Sequence, residues 1–250
     1  MNYVSIIVCH YSKTDDFGTE GIDRSAGLRE CIESLAANTD FPAEIIVMDN
    51  GGNPDDTDYL VQKVREGKIN TLVRYKENMN FAFAWNQGAR IATGEYLCFT
   101  CNDIRFGKGW LSACVGLLEK YADRKLIATP YITPDKNQPN FNKEVLEDAR
   151  INSMAGSNCM VMKRESWQEI AEFPHHRIGG SVWHRIMVGK GYLVIVPPKD
   201  MVEHLAWRKG INWKKPAIIE RMLLNGEKID FHYKPVRKSL YGGTQRKAGI

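Results

Sequence analysis

The chain has 250 residues, of which 43% are hydrophobic and 26% are charged, an ordinary composition for a globular protein with a buried core. No apolar run approaches the roughly 18 to 20 residues that a membrane-spanning helix needs. The first residues have neither the basic start nor the cleavage site of a signal peptide. These features argue against a membrane-spanning or secreted protein, and we expect a cytoplasmic one.

The net charge of +4 is distributed unevenly along the chain. Residues 205–250 have a balance of +8, with aromatic residues between the cations, whereas residues 1–204 have a balance of −4. Such a basic extension indicates an anionic partner, either a nucleic acid or the phosphates of a membrane surface. A solvated, disordered end is the alternative.

Apolar strands and amphipathic helices alternate through the first half of the chain. Short apolar runs predict buried strands over residues 4–9, 44–48, 71–75 and 95–100. Apolar residues at three- and four-residue spacing predict helices over 24–37, 57–65 and 83–93, the last one capped by Gly94. This alternation is typical of an α/β fold with a doubly wound, mainly parallel, Rossmann-like sheet.

The second half of the chain has a less regular pattern. It predicts helices over residues 109–121, 164–171 and 181–190, and extended segments over 126–129, 153–162 and 192–196. The composition predicts a polar loop with two prolines over residues 133–142.

The six cysteines lie in apolar segments, as expected of buried free thiols in a reducing compartment. Cys98 and Cys101 have the C-x-x-C spacing of zinc and redox sites. They fall on a predicted strand, however, where an odd spacing sends two side chains to opposite faces. We therefore expect no thiol chemistry from this pair.

Polar residues follow the predicted parallel strands at the points where those strands end. Ligands of open parallel sheets bind outside the carboxyl ends of the strands. The residues in question are His10 and Tyr11, Asp49 and Asn50, residues 78–80, and Asn102 and Asp103. The chain has no G-x-G-x-x-G motif, which argues against a nicotinamide-dependent enzyme.

Four segments, in this order, resemble the family 2 glycosyltransferases, which have the GT-A fold. They are SIIVCHY (residues 5–11), EIIVMDNGG (44–52), NMNFAFAWNQG (78–88) and GEYLCFTCND (94–103). The third looks like the family's N-x-G-x-A-x-A-x-N-x-G motif, and the fourth looks like its G-E-Y-x-x-F-L-D-x-D strand. The resemblance extends to about residue 204. It implies a metal-dependent glycosyltransferase that uses a nucleotide sugar, most commonly a UDP-sugar.

The same resemblance assigns roles to individual residues. Asp49 would contact the base or ribose of the donor, and a turn-forming role is the alternative. Asp103, at the last position of D-x-D, would bind Mn²⁺ or Mg²⁺ and so help to stabilise the departing diphosphate, with a helix-capping or loop role as the alternative. Cys101 replaces the first acid of that motif. His204 resembles a histidine that completes the metal shell in some relatives, although a surface histidine is equally compatible.

The remaining candidates concern the donor and the catalytic base. Besides Asp49 and Asp103, the expected donor contacts are His10, Tyr11, Asn80, Asn86 and Asn102. Inverting relatives use an aspartate as the base, but the matching stretch, residues 178–185, has no acid. The substitutes are His175, His176 and His184, with Glu172 more remote. A retaining mechanism, which requires no such base, is the alternative.

We therefore divide the chain into a GT-A domain over residues 1–204 and a basic C-terminal extension over 205–250. Within the domain, residues 1–125 form the nucleotide-sugar half and 126–204 the acceptor half. The acceptor is left open between a glycan, a lipid phosphate and a modified DNA base. A nucleotidyltransferase is a second hypothesis, although no glycine cluster follows the first strand. The third is a non-catalytic module that binds nucleic acid or glycan.

Overall fold

A computed structural model describes residues 3–12, 24–130, 142–152, 158–174 and 179–205. Its six helices are α1 (Arg24–Asn38), α2 (Pro54–Arg65), α3 (Phe81–Ile91), α4 (Trp110–Lys120), α5 (Arg164–Ile170) and α6 (Gly179–Gly189). The predicted basic extension beyond residue 205, the candidates His175 and His176, and residues 131–141 of the predicted polar loop lie outside the described residues. None of the helices in the described ranges is long and apolar enough to span a bilayer.

The strands of the described residues are short, as the apolar runs predict. They are β1 (Val4–His10), β2 (Ala43–Asp49), β3 (Thr71–Arg74), β4 (Tyr96–Cys101), β5 (Ile104–Phe106), β6 (Leu126–Ala128), β7 (Asn142–Val145), β8 (Arg150–Asn152), β9 (Cys159–Lys163), β10 (Leu193–Val196) and β11 (Val202–His204). Nine of them form one sheet in the order β3-β2-β1-β4-β9-β6-β10-β8-β7, and β5 pairs with β11 in a second sheet.

The direction of the strands divides the large sheet into two parts. Strands β3, β2, β1 and β4 are parallel neighbours, as predicted. Strand β9 then runs antiparallel to both β4 and β6, while β10 returns to the direction of β6. The predicted α/β sheet is confirmed, with its continuous parallel part limited to the strands of the first half.

Helices cover both faces of the sheet, which explains why its central strands are apolar throughout. In β1, Ile6 and Val8 join the apolar layer of α1, α2 and α4, whereas Ile7 joins the layer of α3, α5 and α6. Cys98 and Cys101 likewise belong to opposite layers, and all six cysteines are free. The doubly wound arrangement is therefore confirmed.

Local capping explains where two helices differ from the predicted bounds. Helix α2 begins at Pro54 rather than at residue 57 because the Asn53 side chain accepts a hydrogen bond from Asp56 N. Helix α3 ends at Ile91, and Ala92 is its C-cap, so the prediction of Gly94 as the cap was wrong. Gly94 instead lies against β1, where an added Cβ would come within 2.7 Å of Ser5 N.

The tight packing of α3 on the sheet gives a first prediction. An alanine Cβ at Gly88 would overlap with Ile7 Cγ2 and lie 3.4 Å from Met48 Cγ. Overpacking costs about 1–3 kcal/mol, only partly offset by about 1 kcal/mol of improved helix propensity. We expect Gly88→Ala to lower the free energy of unfolding, measured in urea, by about 1 kcal/mol.

Gly116→Ala in α4 is the matched control, because no atom of another element lies within 4 Å of its added Cβ. This variant should keep or raise the free energy of unfolding, by up to about 1 kcal/mol. Equal effects of the two substitutions would contradict the close approach of α3 to β1.

Candidate active site

Three parallel strands end side by side at the edge of the sheet where the sequence predicts ligand binding, and we call this edge the mouth. His10 at the end of β1 is the register partner of Asp49 at the end of β2, and Cys9 is the partner of Cys101 at the end of β4. Asn102 and Asp103 follow β4 directly, and Tyr11, which is half-buried, follows β1. The structure thus brings the polar segments after these strands to one edge of the sheet.

Asp49 is fully buried, and its carboxylate is used by the turn that follows β2. One oxygen accepts a hydrogen bond of 2.8 Å from Gly52 N, and the other accepts one of 2.8 Å from Thr57 Oγ1. Arg74, at the end of β3, places its Nε 3.6 Å from the second oxygen. This geometry matches the turn-forming role, and the donor contact of Asp49 stays a prediction.

Asparagine side chains tie together the loops after β2 and β3. Asn50 Nδ2 donates to Asn78 Oδ1, and Asn50 Oδ1 accepts from Met79 N, both at 2.9 Å. Asn80 has a φ of 81° with a ψ of 142°, a backbone conformation that residues other than glycine rarely adopt. Its side chain caps α3 by accepting a hydrogen bond from Ala82 N. These contacts fix one wall of the mouth.

Asn86 lies inside the apolar layer between α3 and the sheet. Its Nδ2 donates to Phe173 O, and its Oδ1 accepts from Phe173 N, both at 2.9 Å. The side chain is fully buried. The structure therefore gives Asn86 a supporting role, holding residue 173 against α3, and its contact with a donor stays a prediction.

His10 is fully buried and joins two other buried polar residues. Its Nδ1 lies 2.9 Å from Asn102 Nδ2, and its Nε2 lies 3.2 Å from Asp56 Oδ2. Asp56 also accepts hydrogen bonds from Ser25 Oγ at 2.8 Å and Arg29 Nη1 at 3.1 Å. Burial alone would raise the pKa of Asp56, but the close contact with His10 and the hydrogen bonds from Ser25 and Arg29 lower this pKa to about 2.

Asp103 and His204 form the predicted metal pair. Pairing of β5 with β11 places His204 opposite Ile104, and Leu205 N donates to Asp103 O at 2.8 Å. His204 Nε2 consequently lies 3.6 Å from Asp103 Oδ1. The Asp103 side chain is 22% exposed, so it is not turned into the core. Burial lowers the pKa of His204 although the Asp103 carboxylate opposes this, which favours the neutral imidazole that binds metals.

The spacing of this pair fits a divalent cation. An ion about 2.1 Å from each of two ligands holds them about 3 to 4 Å apart. Within the described ranges, no third His, Cys, Asp or Glu completes a cluster suited to a metal. Cys101 stands where the family motif has its first acid, and burial raises the pKa of its thiol well above the ordinary value. Among the described residues, this leaves Asp103 and His204 as the candidate metal ligands.

Two candidates for the catalytic base, His184 and Glu172, lie within the described residues, and their predicted role stays a prediction. His184 is buried in α6, edge-on to the Trp183 ring at a centroid distance of 5.9 Å. Glu172 pairs with Arg90 at 2.6 Å, near the C-terminal end of α3, whereas the N-terminus of this helix faces the mouth. His175 and His176 lie outside the described residues, and their predicted roles stay predictions.

The fold and this site define a class of protein, the GT-A glycosyltransferases. A mannosyltransferase from Pyrobaculum calidifontis, solved with GDP-Man and Mn²⁺, has a TM-score of 0.61 and 19% identity, covering 80% of this chain and 56% of that one. GalNAc-T7, solved with UDP, GalNAc and Mn²⁺, has a TM-score of 0.59 and 15% identity, covering 80% and 42%. At such identities the likeness shows the fold alone, and it confirms the GT-A prediction.

Sequence comparison identifies the family within this class. Residues 5–181 match the model of the family described as Glycosyl transferase family 2, and the chain belongs to this family. The uncharacterized glycosyltransferase YibD of Escherichia coli is 29% identical over 102 residues, 41% of this chain and 26% of that protein. A glucosyl-dolichyl phosphate glucuronosyltransferase of Haloferax volcanii is 25% identical over 145 residues, 56% and 42% of the two chains. The matches thus span less than half of either relative.

The low pKa of Asp56 predicts how acid affects stability. Because the pKa of Asp56 falls to about 2 on folding, from an ordinary value of 3.8, the ionised carboxylate stabilises the fold above about pH 4. This contribution, about 2 kcal/mol, is lost as the pH falls toward 2. We expect the difference in unfolding free energy between wild type and Asp56→Asn to shrink by about that amount between pH 6 and pH 2.5.

Urea unfolding at a series of pH values measures this difference. Asp123→Asn, at an exposed position after α4, is the control and should differ from wild type by the same small amount at every pH. A difference for Asp56→Asn that does not change with pH would contradict the hydrogen-bonded, ionised state of Asp56.

Proposed function

We propose that this chain transfers a sugar from a nucleotide-sugar donor to a hydroxyl acceptor, with a divalent cation held by Asp103 and His204. The observation that carries the proposal is the 3.6 Å spacing of this carboxylate and imidazole beside the ends of β1, β2 and β4. Two solved proteins with the same fold are named as complexes with Mn²⁺, which supports Mn²⁺ or Mg²⁺ as the cation.

The bound cation would neutralise charge on the departing nucleoside diphosphate. Asp103 brings the negative charge that holds such an ion, and His204 brings a neutral nitrogen ligand. Because only one carboxylate stands in this pair, a bound diphosphate would complete the shell. Cation and donor are then expected to bind together, each increasing the affinity for the other.

The nucleoside of the donor would bind at the ends of β1 and β2. Tyr11 and Asn80 border this part of the mouth, and Asp49 is the proposed contact of the base or ribose. Since both Asp49 oxygens hold the following turn, a contact with the donor requires one of them to accept a second hydrogen bond. A UDP-sugar is the proposed donor, because GalNAc-T7 was solved with UDP, and GDP-sugars are the alternative.

The proposed acceptor is a lipid-linked phosphate. The Haloferax volcanii relative is named for a dolichyl phosphate sugar, which favours a lipid-linked acceptor over a glycan or a modified DNA base. A basic extension over residues 205–250 suits such an anionic partner. His175, His176 and His184 are the proposed bases of an inverting reaction, and a retaining reaction needs none of them.

Metal-dependent binding of the donor tests the proposal. We expect UDP-GlcNAc, UDP-glucose or GDP-mannose to raise the melting temperature of the wild type more in Mn²⁺ than in EDTA. Asp103→Asn should weaken the Mn²⁺-dependent affinity for that donor at least about tenfold, and His204→Ala should weaken it by a similar factor. Isothermal titration with the stabilising donor gives the affinities.

Asp123→Asn again serves as the control, because its carboxylate lies on the surface after α4, away from the strand ends. Donor affinity and its dependence on Mn²⁺ should be unchanged in this variant. The proposal fails if Asp103→Asn binds the donor like the wild type in Mn²⁺. It also fails if none of the three donors stabilises the wild-type protein.

A further inference from the structure

We propose that His10 is a positioning residue, which acts through Asn102 to hold Asp103 where it binds the cation. This inference rests on the proposed function and deepens it. His10 is fully buried, so it does not present its ring to a ligand in the mouth. Its two ring nitrogens instead face Asn102 on one side and Asp56 on the other.

The partners of the ring select one protonation state for His10. Asn102 Nδ2 lies 2.9 Å from His10 Nδ1 and 3.4 Å from Arg24 O, so that this amide nitrogen donates and His10 Nδ1 accepts. On the other side, the Asp56 carboxylate can only accept, and His10 Nε2 must therefore carry the proton. With its proton on Nε2, the ring accepts a hydrogen bond from Asn102 and turns this proton toward Asp56 at 3.2 Å, although the angle there is not that of a hydrogen bond.

Asp56 is itself held from two helices, which makes it a firm anchor for the ring. Ser25 and Arg29 of α1 donate to its carboxylate, and its own backbone N–H donates to Asn53 at the start of α2. A carboxylate that fixes the orientation of a histidine in this way is a common support of metal sites. Here the histidine supports a neighbour of the metal ligand rather than binding the metal itself.

The turn after β4 transmits this support to Asp103. Asn102 is nearly buried, and its side chain is held by His10, whereas the next side chain, Asp103, is partly exposed toward His204. Cys101 stands at the first acidic position of the family motif and has no carboxylate. The cation therefore depends on a single carboxylate, and its affinity depends on the 3.6 Å spacing between Asp103 and His204.

Two isosteric substitutions separate the two contacts of His10. Asparagine can place its amide oxygen near the position of Nδ1, so His10→Asn keeps an acceptor for Asn102. Glutamine can place its amide nitrogen near the position of Nε2, so His10→Gln keeps only the donor for Asp56. We expect His10→Gln to weaken Mn²⁺ binding about tenfold and His10→Asn to retain it within about threefold.

Mn²⁺ binding is measured by electron paramagnetic resonance of the free ion, in the presence of saturating UDP and, separately, GDP. Melting temperatures in EDTA report any general loss of structure. A positioning role predicts that the two variants differ in Mn²⁺ affinity while their melting temperatures stay similar. Equal Mn²⁺ affinities of His10→Asn and His10→Gln would overturn the inference.

Asn102→Ala provides an independent test that leaves His10 intact. It should weaken Mn²⁺ binding as much as His10→Gln does, and the double variant should be no weaker than either single one, because both remove the same contact. The inference would also be overturned if the double variant lost Mn²⁺ affinity by the product of the two single-variant factors. If Asp103→Asn itself leaves Mn²⁺ binding unchanged, the proposed metal site fails; if only the His10 and Asn102 variants bind like wild type, the positioning role alone fails.

Discussion

The parallel pairing of β1 with β2 on one side and β4 on the other is the constraint on which the site depends. Parallel strands in register end at the same edge of a sheet, so the residues that follow them must meet there. His10 and Asp49 are register partners, and Asn102 follows one residue after the paired Cys101. Because both faces of these strands are covered by helices, a shift of register would bury polar ends or expose apolar ones.

The polar groups that are buried at the strand ends must also find hydrogen-bond partners. An unpaired buried carboxylate or amide costs more free energy than a hydrogen bond returns, so each such group needs a partner. Asp49 holds the turn after β2, Asn50 joins two loops, and Asp56 receives donors from α1 and β1. These buried polar side chains are therefore part of the fold. Removing one of them would leave its hydrogen-bond partner buried and unpaired.

The sequence alone predicts the parallel strands of this protein better than its short strands and its side-chain contacts. The strands of the parallel part are apolar runs because they are covered on both faces, and this pattern is visible without a structure. Strands β5 and β11 have three residues each and leave no such pattern, although their pairing brings His204 to Asp103. Asp56 was missed because an acid in the first turn of a helix ordinarily serves the helix dipole.

Asn86 illustrates how a family motif and a physical pattern can point in different directions. The motif suggests a donor contact, but Asn86 lies four residues after Ala82 and three before Ala89, on the buried face of α3. The helical spacing alone would have predicted an interior residue. What it could not predict was the partner, since the backbone of residue 173 is 87 positions away along the chain.

The replacement of an acid by Cys101 changes what the rest of the site must do. With two carboxylates, a cation tolerates a small displacement of either one, because the other retains much of the attraction. With Asp103 as the single acid of the proposed site, any displacement that lengthens the distance from its carboxylate to the cation weakens the main electrostatic attraction. A chain that has lost the first acid therefore depends more strongly on whatever keeps the second one in place. The buried contact from Asp56 through His10 to Asn102 meets this requirement, since it connects the turn that carries Asp103, the proposed metal ligand, to α1, α2 and β1.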